Sequence, residues 1–554
     1  MDKNQKPVFV KYSTSVDKDK KAIFKKINFP VDEVSKEDLE ILNRISVAQD
    51  VILKILAFQK MPEISEIIYN FKQWKSHEKD LKIKKKINDY LLLIEQSQSV
   101  FNGFGDNFIF DESIKLPRIL KKFEKILQNP VKENSKKNLY PKNFTKSDFE
   151  FLKDKNKNQV NSVIRKNDSG KFVVEILEDI FSEELKIISN DLKLLSKKVD
   201  NKSLEKYLIA KSKELKSGTV KSRIDSDKAW INLTSEIGFI LSTGLETYID
   251  KFKGVRGGAC LNVYFIDKKY QKISEQILSF AEFYEKNAPW KVKNKVDKNK
   301  LPKLKFVNVY AFCGDYITFP MITIAQSLPN EDEVVKKYGT QNLVYVNIMK
   351  SKSVDKDKNP IFKNLFTKNA LNFVDKISDI SVVAVALHEL GHTTGTTKYK
   401  ENANVLFGEF YSLMEEARAE LFSMFALEKL CDEKIITNDD LISGYYYMLE
   451  SMLKAQEFEP KDHSGSRNMM FNYYLKNGGI VEINRKYEIV SKKFRDNTLE
   501  LLKVIGDIKT NGEIDKFKLL CKKYINNDLQ KIIKKATKSA PLGGVYEFEW
   551  DRNN

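Results

Sequence analysis

Residues 381–392 read SVVAVALHELGH, an apolar, alanine-bearing run that closes on His388, Glu389 and His392. On a helix, residues four apart lie one turn from each other on the same face, so both imidazoles can reach a single metal ion. The H-E-x-x-H spacing predicts a zinc site that carries its own general base, Glu389. Only four histidines occur in 554 residues, which makes this spacing a poor chance event. The competing reading is a core helix on which the pattern is accidental.

A catalytic zinc keeps three protein ligands and one open position for water. The other histidines are His77 and His463, so a carboxylate is the better third ligand. The stretch NVLFGEFYSLMEEARAELFSMFALEKL (404–430) offers several. Glu409, Ser412, Glu416 and Glu420 fall along one helical stripe beside Phe410, Leu413, Met414 and Leu421. One carboxylate there can bind metal while its neighbours orient the histidines through their free ring nitrogens. An ordinary solvated row of glutamates is the alternative.

These residues need elements to hold them. Hydrophobic periodicity predicts a helix from Ser35, which can cap it, to Pro62, and a second through IIYNFKQW. Helical pattern recurs over 80–100, 172–198, 203–216 and 270–287. FNGFGDNFIF (101–110) reads as a packed loop, and the first thirty residues read as irregular. GLETYIDKFKGVRGGACLNVYF (244–265) turns into a strand, while 305–312 and 342–349 are the clearest strands. Helices follow at 405–430, 439–457 and through most of 466–536. The expected class is α+β, mostly helical, with strands clustered in the middle.

Composition bounds the rest. A chain of 554 residues exceeds the size of one hydrophobic core. Its 95 basic against 77 acidic residues give +18, but the lysines are scattered among acids rather than gathered in a tract. That favours a lysine-rich solvated surface over a nucleic-acid footprint. Cys260, Cys313, Cys431 and Cys521 are far apart and form no CxxC, which suits thiols in a reducing compartment. No apolar leader or membrane-length apolar run occurs, so a cytoplasmic protein is expected. His77, among charges in KSHEKD, reads as a surface residue.

HELGH followed by EEARAE (415–420) resembles the dipeptidyl-peptidase III family of zinc peptidases, whose signatures are HELLGH and EECRAE. The resemblance makes Glu416 the third ligand and Glu415 and Glu420 its supporting carboxylates. The five-residue HExxH replaces the family's longer form, and Ala417 its cysteine. ETYIDKFKGVRG is similar to the family's ESYxDPFGxRG, which implies Tyr248 as a carbonyl-stabilising donor and Glu246 as an anchor for the substrate's amino group. FNGFGDNFIF is similar to an N-terminal FGD segment, and SLPN to an NIPN loop. In that loop Asn330 matches one amine-binding asparagine and Ser327 stands in place of the other. DHSGSRNMMF resembles HMQARF, implying His463 as a transition-state donor and Arg467 as a substrate contact. Residues 508–518 faintly resemble a stretch with a carboxylate-binding arginine, where lysines such as Lys518 stand here.

The resemblance implies two lobes around a wide cleft, a helical zinc lobe and a lobe with a β-barrel-like core. Residues 1–268 are expected in the substrate-binding lobe and 269–304 in the zinc lobe. Strands at 305–358 would return to the former, 359–515 would form the catalytic lobe, and 516–554 would pack back on the substrate lobe. The implied reaction is release of dipeptides from the free N-terminus of short peptides, with one Zn²⁺ per chain, no nucleic-acid or membrane partner and a monomer favoured. Other readings stay open: another HExxH endopeptidase or aminopeptidase, a non-catalytic zinc protein, or a binder of acidic partners. Cobalt or manganese could replace zinc.

Overall fold

The computed structural model describes residues 9–14, 20–133, 138–291, 302–329, 332–352, 359–395, 403–455, 462–538 and 543–548. The chain divides into two compact units, one of Met1–Ile266, Asn308–Thr323 and Pro541–Asn554, the other of Asp267–Val307 and Ile324–Ala540. Helix dominates both.

In the first unit the expected helix from Ser35 is two, Lys36–Ser46 and α1 (Gln49–Lys60), parted by a tight turn in which Ala48 N–H donates to Ile45 O at 3.2 Å. Ser35 caps the first, its hydroxyl accepting from Asp38 N–H at 3.0 Å. Ile52, Leu56, Ile67, Phe71, Leu93 and Ile94 are fully buried along these helices and the next two, Ile64–His77 and Leu81–Ser97. The described part of the first thirty residues is not irregular. Phe9–Tyr12 pairs antiparallel with Lys20–Ile27, which pairs in parallel with Gly544–Phe548. Val10, Tyr12, Ala22 and Ile27 are buried there, and with lysines between them the strands show no clean alternation. Phe172–Ile176 is likewise a strand paired with Ser162–Lys166, so the helix expected from 172 begins at Leu177.

Two long strands, β1 (Ile237–Asp250) and β2 (Gly254–Ile266), form an antiparallel hairpin. Its tip is fastened by Asp250 Oδ1, which accepts from Phe252 N–H (2.9 Å), Lys253 N–H (3.0 Å) and Tyr140 O–H (2.7 Å). Strand β3 (Lys303–Gly314) lies next to β2, and its Asn308–Gly314 half belongs to this unit.

In the second unit β4 (Ala325–Leu328) pairs antiparallel with β5 (Gln341–Tyr345). Strand β5 pairs in parallel with the Lys303–Val307 half of β3. Helix replaces strand from Val346, so the expected 342–349 strand stops at Tyr345. Among the described residues these are open sheets in both units, without the closure that a barrel needs, and the expected barrel-like core is not formed.

The helices that matter are α2 (Ile377–Thr393), α3 (Tyr411–Asp432), α4 (Asn438–Ala455), α5 (Asp462–Lys476) and α6 (Ser491–Asn511). Helix α3 is the hub, packing against each of the others. A hairpin, Ile480–Ile483 with Lys486–Ile489, interrupts the expected helical run. Asn484 and Arg485 make its two-residue turn with φ of 52° and 62°, the left-handed pair that such hairpins require. Helices Ile514–Tyr524 and Asn527–Ala536 pack within this unit, so the tail that the first unit takes back is 541–554 rather than 516–554. The returning middle segment is 308–323 rather than 305–358.

Candidate metal centre

Helix α2 is buried on nearly every face up to Leu387, as its run of valine, alanine and isoleucine dictates. Beyond Asp379 in its first turn, it shows polar groups to its surroundings only in its last turns. Gly391 makes this arrangement possible: a Cβ there would sit 3.1 Å from Ala419 Cα and 3.0 Å from Phe422 Cδ1. The small residues let α2 and α3 lie close enough for histidines on one to meet a carboxylate on the other.

His388 Nε2 lies 3.1 Å from His392 Nε2 and 3.3 Å from Glu416 Oε2, and His392 Nε2 lies 3.9 Å from that same oxygen. All three side chains are partly buried, and their ligand atoms lie within 4.8 Å of one another. Ligands about 2.0–2.2 Å from a tetrahedral ion are about 3.3–3.5 Å apart, so these separations suit one ion held by three groups. A second observation concerns Glu416 itself. Its Oε2 is buried yet makes no hydrogen bond among the described residues, although three imidazoles lie within 4 Å. Leaving a carboxylate oxygen unbonded in the interior is costly, and a cation between it and the histidines removes the cost.

His463, exposed on α5, reaches the same oxygen, with Nδ1 at 3.1 Å. It lies outside the convergent group of three. Glu389 follows His388 on α2 and is half-buried. Its negative charge is felt at His388.

Behind the ligands stand the two expected carboxylates. Glu415 Oε1 lies 3.3 Å from His392 Nδ1, and Glu420 Oε2 lies 4.0 Å from His388 Nδ1. Each is held by cations. Arg418 grips Glu415 with Nε at 3.0 Å and with Nη2, while donating to Gly391 O (2.7 Å) and Thr394 O (2.8 Å) at the end of α2. Its guanidinium lies over the Trp290 ring at 5.7 Å. Lys509 on α6 adds a 2.6 Å contact to Glu415 Oε2. Arg467, expected among the substrate contacts, is engaged with Glu420 through Nε (3.0 Å) and Nη2.

Electrostatics follow. Burial pulls the His388 imidazole down, but the carboxylates of Glu416, Glu420 and Glu389 outweigh it and raise the pKa to about 9. Burial pushes Glu416 up, and His388 and His463 more than reverse it, leaving the carboxylate well below its usual range. Glu415 is raised by burial and lowered further by Arg418 and Lys509. Without metal, a proton on His388 takes the cation's part. It stabilises the fold below the unfolded imidazole's pKa, near 6.5, and that gain is lost as pH rises through about 9. Metal must displace this proton. Apparent metal affinity should therefore weaken about tenfold per pH unit from this group below about 9, read by chelator competition at three pH values. A flat profile would contradict it.

Glu246, Tyr248, Asn330 and Lys518 complete the expected site residues. Glu246 and Tyr248 lie on β1 opposite Gly258 and Arg256, and their side chains fall outside the described residues. Asn330 is also outside them, two residues past Leu328, the end of β4, on which Ser327 pairs with Asn342. Lys518 is exposed, 3.5 Å from Asp515 Oδ1. Sequence reasoning missed Arg418 and Lys509. The first carried a signal, an arginine three residues after Glu415 on one helix; the second carried none.

Residues 131–404 match the model of peptidase family M49. The match takes in β1, β2 and the HELGH helix, and ends before Glu416. A curated relative, Nudix hydrolase 3 of Arabidopsis thaliana, is 24% identical over 355 residues, 62% of this chain; the chain spans 45% of that protein's length. The fold matches dipeptidyl-peptidase III from Caldithrix abyssi with a TM-score of 0.80 at 18% identity, covering 96% of this chain and 98% of that one. It matches dipeptidyl-peptidase III from Corallococcus sp. strain EGB at 0.72 and 16% identity, covering 95% of each. Residues 131–404, with His388 and His392 among them, are thus similar to peptidase family M49, and the fold over nearly the whole chain is that of the two dipeptidyl-peptidase III structures.

Proposed function

We propose that this chain is a zinc-dependent dipeptidyl-peptidase that releases dipeptides from the free N-terminus of short peptides. The observation that carries the reading is the convergence of His388, His392 and Glu416, with Glu416 Oε2 buried and unbonded, in a chain whose residues 131–404 match family M49. Two nitrogens and a carboxylate oxygen are the three-ligand set of a catalytic zinc, which would leave a fourth position to water. When bound, zinc supplies Lewis-acid polarisation and acidifies water toward a pKa of about 7.

The chain's own groups do the rest. Glu389 accepts the proton of the attacking water and delivers it to the departing amine. Glu415, 3.3 Å from His392 Nδ1, fixes the tautomer and angle of that ring, while Glu420, 4.0 Å from His388 Nδ1, sets its negative charge behind the other imidazole. Tyr248 and His463 donate to the carbonyl oxygen as its negative charge grows, each worth about 10²–10³ in rate. Glu246 and Asn330 bind the free α-ammonium group and so set cleavage after the second residue. The names of the two solved structures of matching fold support that ruler. We assign Arg467 to Glu420 rather than to substrate. Lys518 remains a candidate for the far end of the peptide. The four cysteines, all free thiols, support a reducing, cytoplasmic setting, and no helix among the described residues is long and apolar enough to cross a membrane.

Metal removal tests the reading. Chelator-stripped protein should leave a free-amine pentapeptide intact and regain dipeptide release with one equivalent of zinc. Glu416→Ala should bind no zinc and regain nothing. Hydrolysis by the stripped protein would contradict a metallopeptidase.

A further inference from the structure

Strand β1 is not evenly paired. Ser242 faces Cys260 and Glu246 faces Gly258, so the three residues Thr243–Leu245 stand against Ala259 alone. Strand β1 therefore carries two extra residues immediately before Glu246. A two-residue excess keeps the side-chain alternation in phase, whereas a slip by one would turn every residue from Glu246 to Asp250 to the opposite face.

The excess leaves backbone groups outside the ladder, and one side chain takes three of them. Gln59, on α1 and only 4% exposed, donates through Nε2 to Thr243 O (3.2 Å) and Gly257 O (3.0 Å). Its Oε1 accepts from Ala259 N–H at 2.9 Å. The primary amide thus stands in for a peptide unit between the strands. A buried carboxyl group holds the other side of the bulge: Glu178 accepts from Thr243 O–H and from Asn161 Nδ2, each at 2.6 Å. Gly257 N–H donates to Val160 O at 3.1 Å, and a Cβ on Gly257 would lie 2.2 Å from Gly244 O, so the backbones touch here. The far end of the segment is fastened separately by Asp250.

We infer that Gln59, seconded by Glu178, is a positioning residue for the peptidase reaction: its amide fixes the two-residue bulge of β1 and with it the phase of Glu246 and Tyr248. The inference rests on the proposed function, in which those two residues hold the substrate's amine and its reacting carbonyl. Nothing about Gln59 concerns the metal ligands, which lie in the other unit.

The full-length, zinc-loaded protein should be compared with Gln59→Leu, which removes all three bonds, and Gln59→Glu, which keeps the shape but cannot donate to two carbonyls. Zinc content, amide hydrogen exchange, and products from a free-amine pentapeptide and its N-acetylated twin should be measured together. Both variants should keep one zinc per chain. Exchange should accelerate within residues 243–249 and 257–260 and stay as in wild type at the Asp250 turn. Dipeptide release should fall on the order of 10²-fold in kcat/KM, with the preference for the free amine lost. Unchanged exchange in those segments would overturn the inference. So would faster exchange with the amine preference and dipeptide product intact, which would make the staple purely structural. Wild-type protein that releases no dipeptide would refute the functional reading, and the positioning role with it, whatever the exchange pattern.

Discussion

Arg418→Met will destabilise the helical unit by about 3–5 kcal/mol, near the lower end because Lys509 remains beside Glu415. The guanidinium is 2% exposed and has no water to lose its contacts to. Removing it leaves Glu415 with a buried charge that one lysine must balance, and strips the donors from Gly391 O and Thr394 O. Methionine preserves length and apolar contact with Trp290, so the loss measures the ionic and hydrogen-bonded part. Thermal unfolding of the metal-free protein should fall by about 10 °C. Adding Glu415→Gln should recover part of it, since the unpaired charge goes. A change below about 1 kcal/mol would mean that Arg418 is not what joins the two helices.

Glu389→Gln will keep one metal per chain and lower turnover by about 10²–10⁴. Glu389 is outside the group whose ligand atoms converge, so the amide leaves the ion's donors in place. What it removes is the only function asked of the carboxylate, taking a proton from water. The substitution also removes one of the negative charges that raise His388, which makes the metal-free imidazole less basic and competes less with metal. Metal content by mass spectrometry and kcat on a free-amine peptide read the two effects apart. Loss of metal along with activity would show that Glu389 supports binding, and the base would have to be sought elsewhere.

The metal helix was readable because its signal is local. Two histidines and a glutamate within five residues of a valine- and alanine-rich run need only helical periodicity to be placed on one face. Glu416 was harder, since a stripe of Glu409, Ser412, Glu416 and Glu420 leaves the choice open. The fold resolves it by starting α3 at Tyr411, which leaves Glu409 exposed on a short turn and turns Glu416 and Glu420 inward. Arg467 and Lys518 show where local reading ends. Which carboxylate an arginine meets depends on how α5 crosses α3, and spacing does not encode that. In the 508–518 stretch the lysine that reaches the centre is Lys509, partly buried on α6, while Lys518 is on the surface. The N-terminal strands were hidden for a different reason. Only four of their residues are buried, with lysines between them and no clean alternation along Lys20–Ile27, and their partner strand lies at the other end of the chain. Gln59 had no signature, because a single polar residue on an amphipathic helix looks like any other until the bulge it fills is known.

The most direct test of the account is the product spectrum of wild-type, zinc-loaded protein on a free-amine pentapeptide and its N-acetylated twin, read by mass spectrometry. A dipeptide and a tripeptide are expected from the free peptide and no cleavage of the acetylated one. Cleavage of both twins, or release of single residues, would keep the metal chemistry and contradict the amine-anchored ruler. No cleavage of either by protein holding one zinc per chain would contradict the peptidase reading itself.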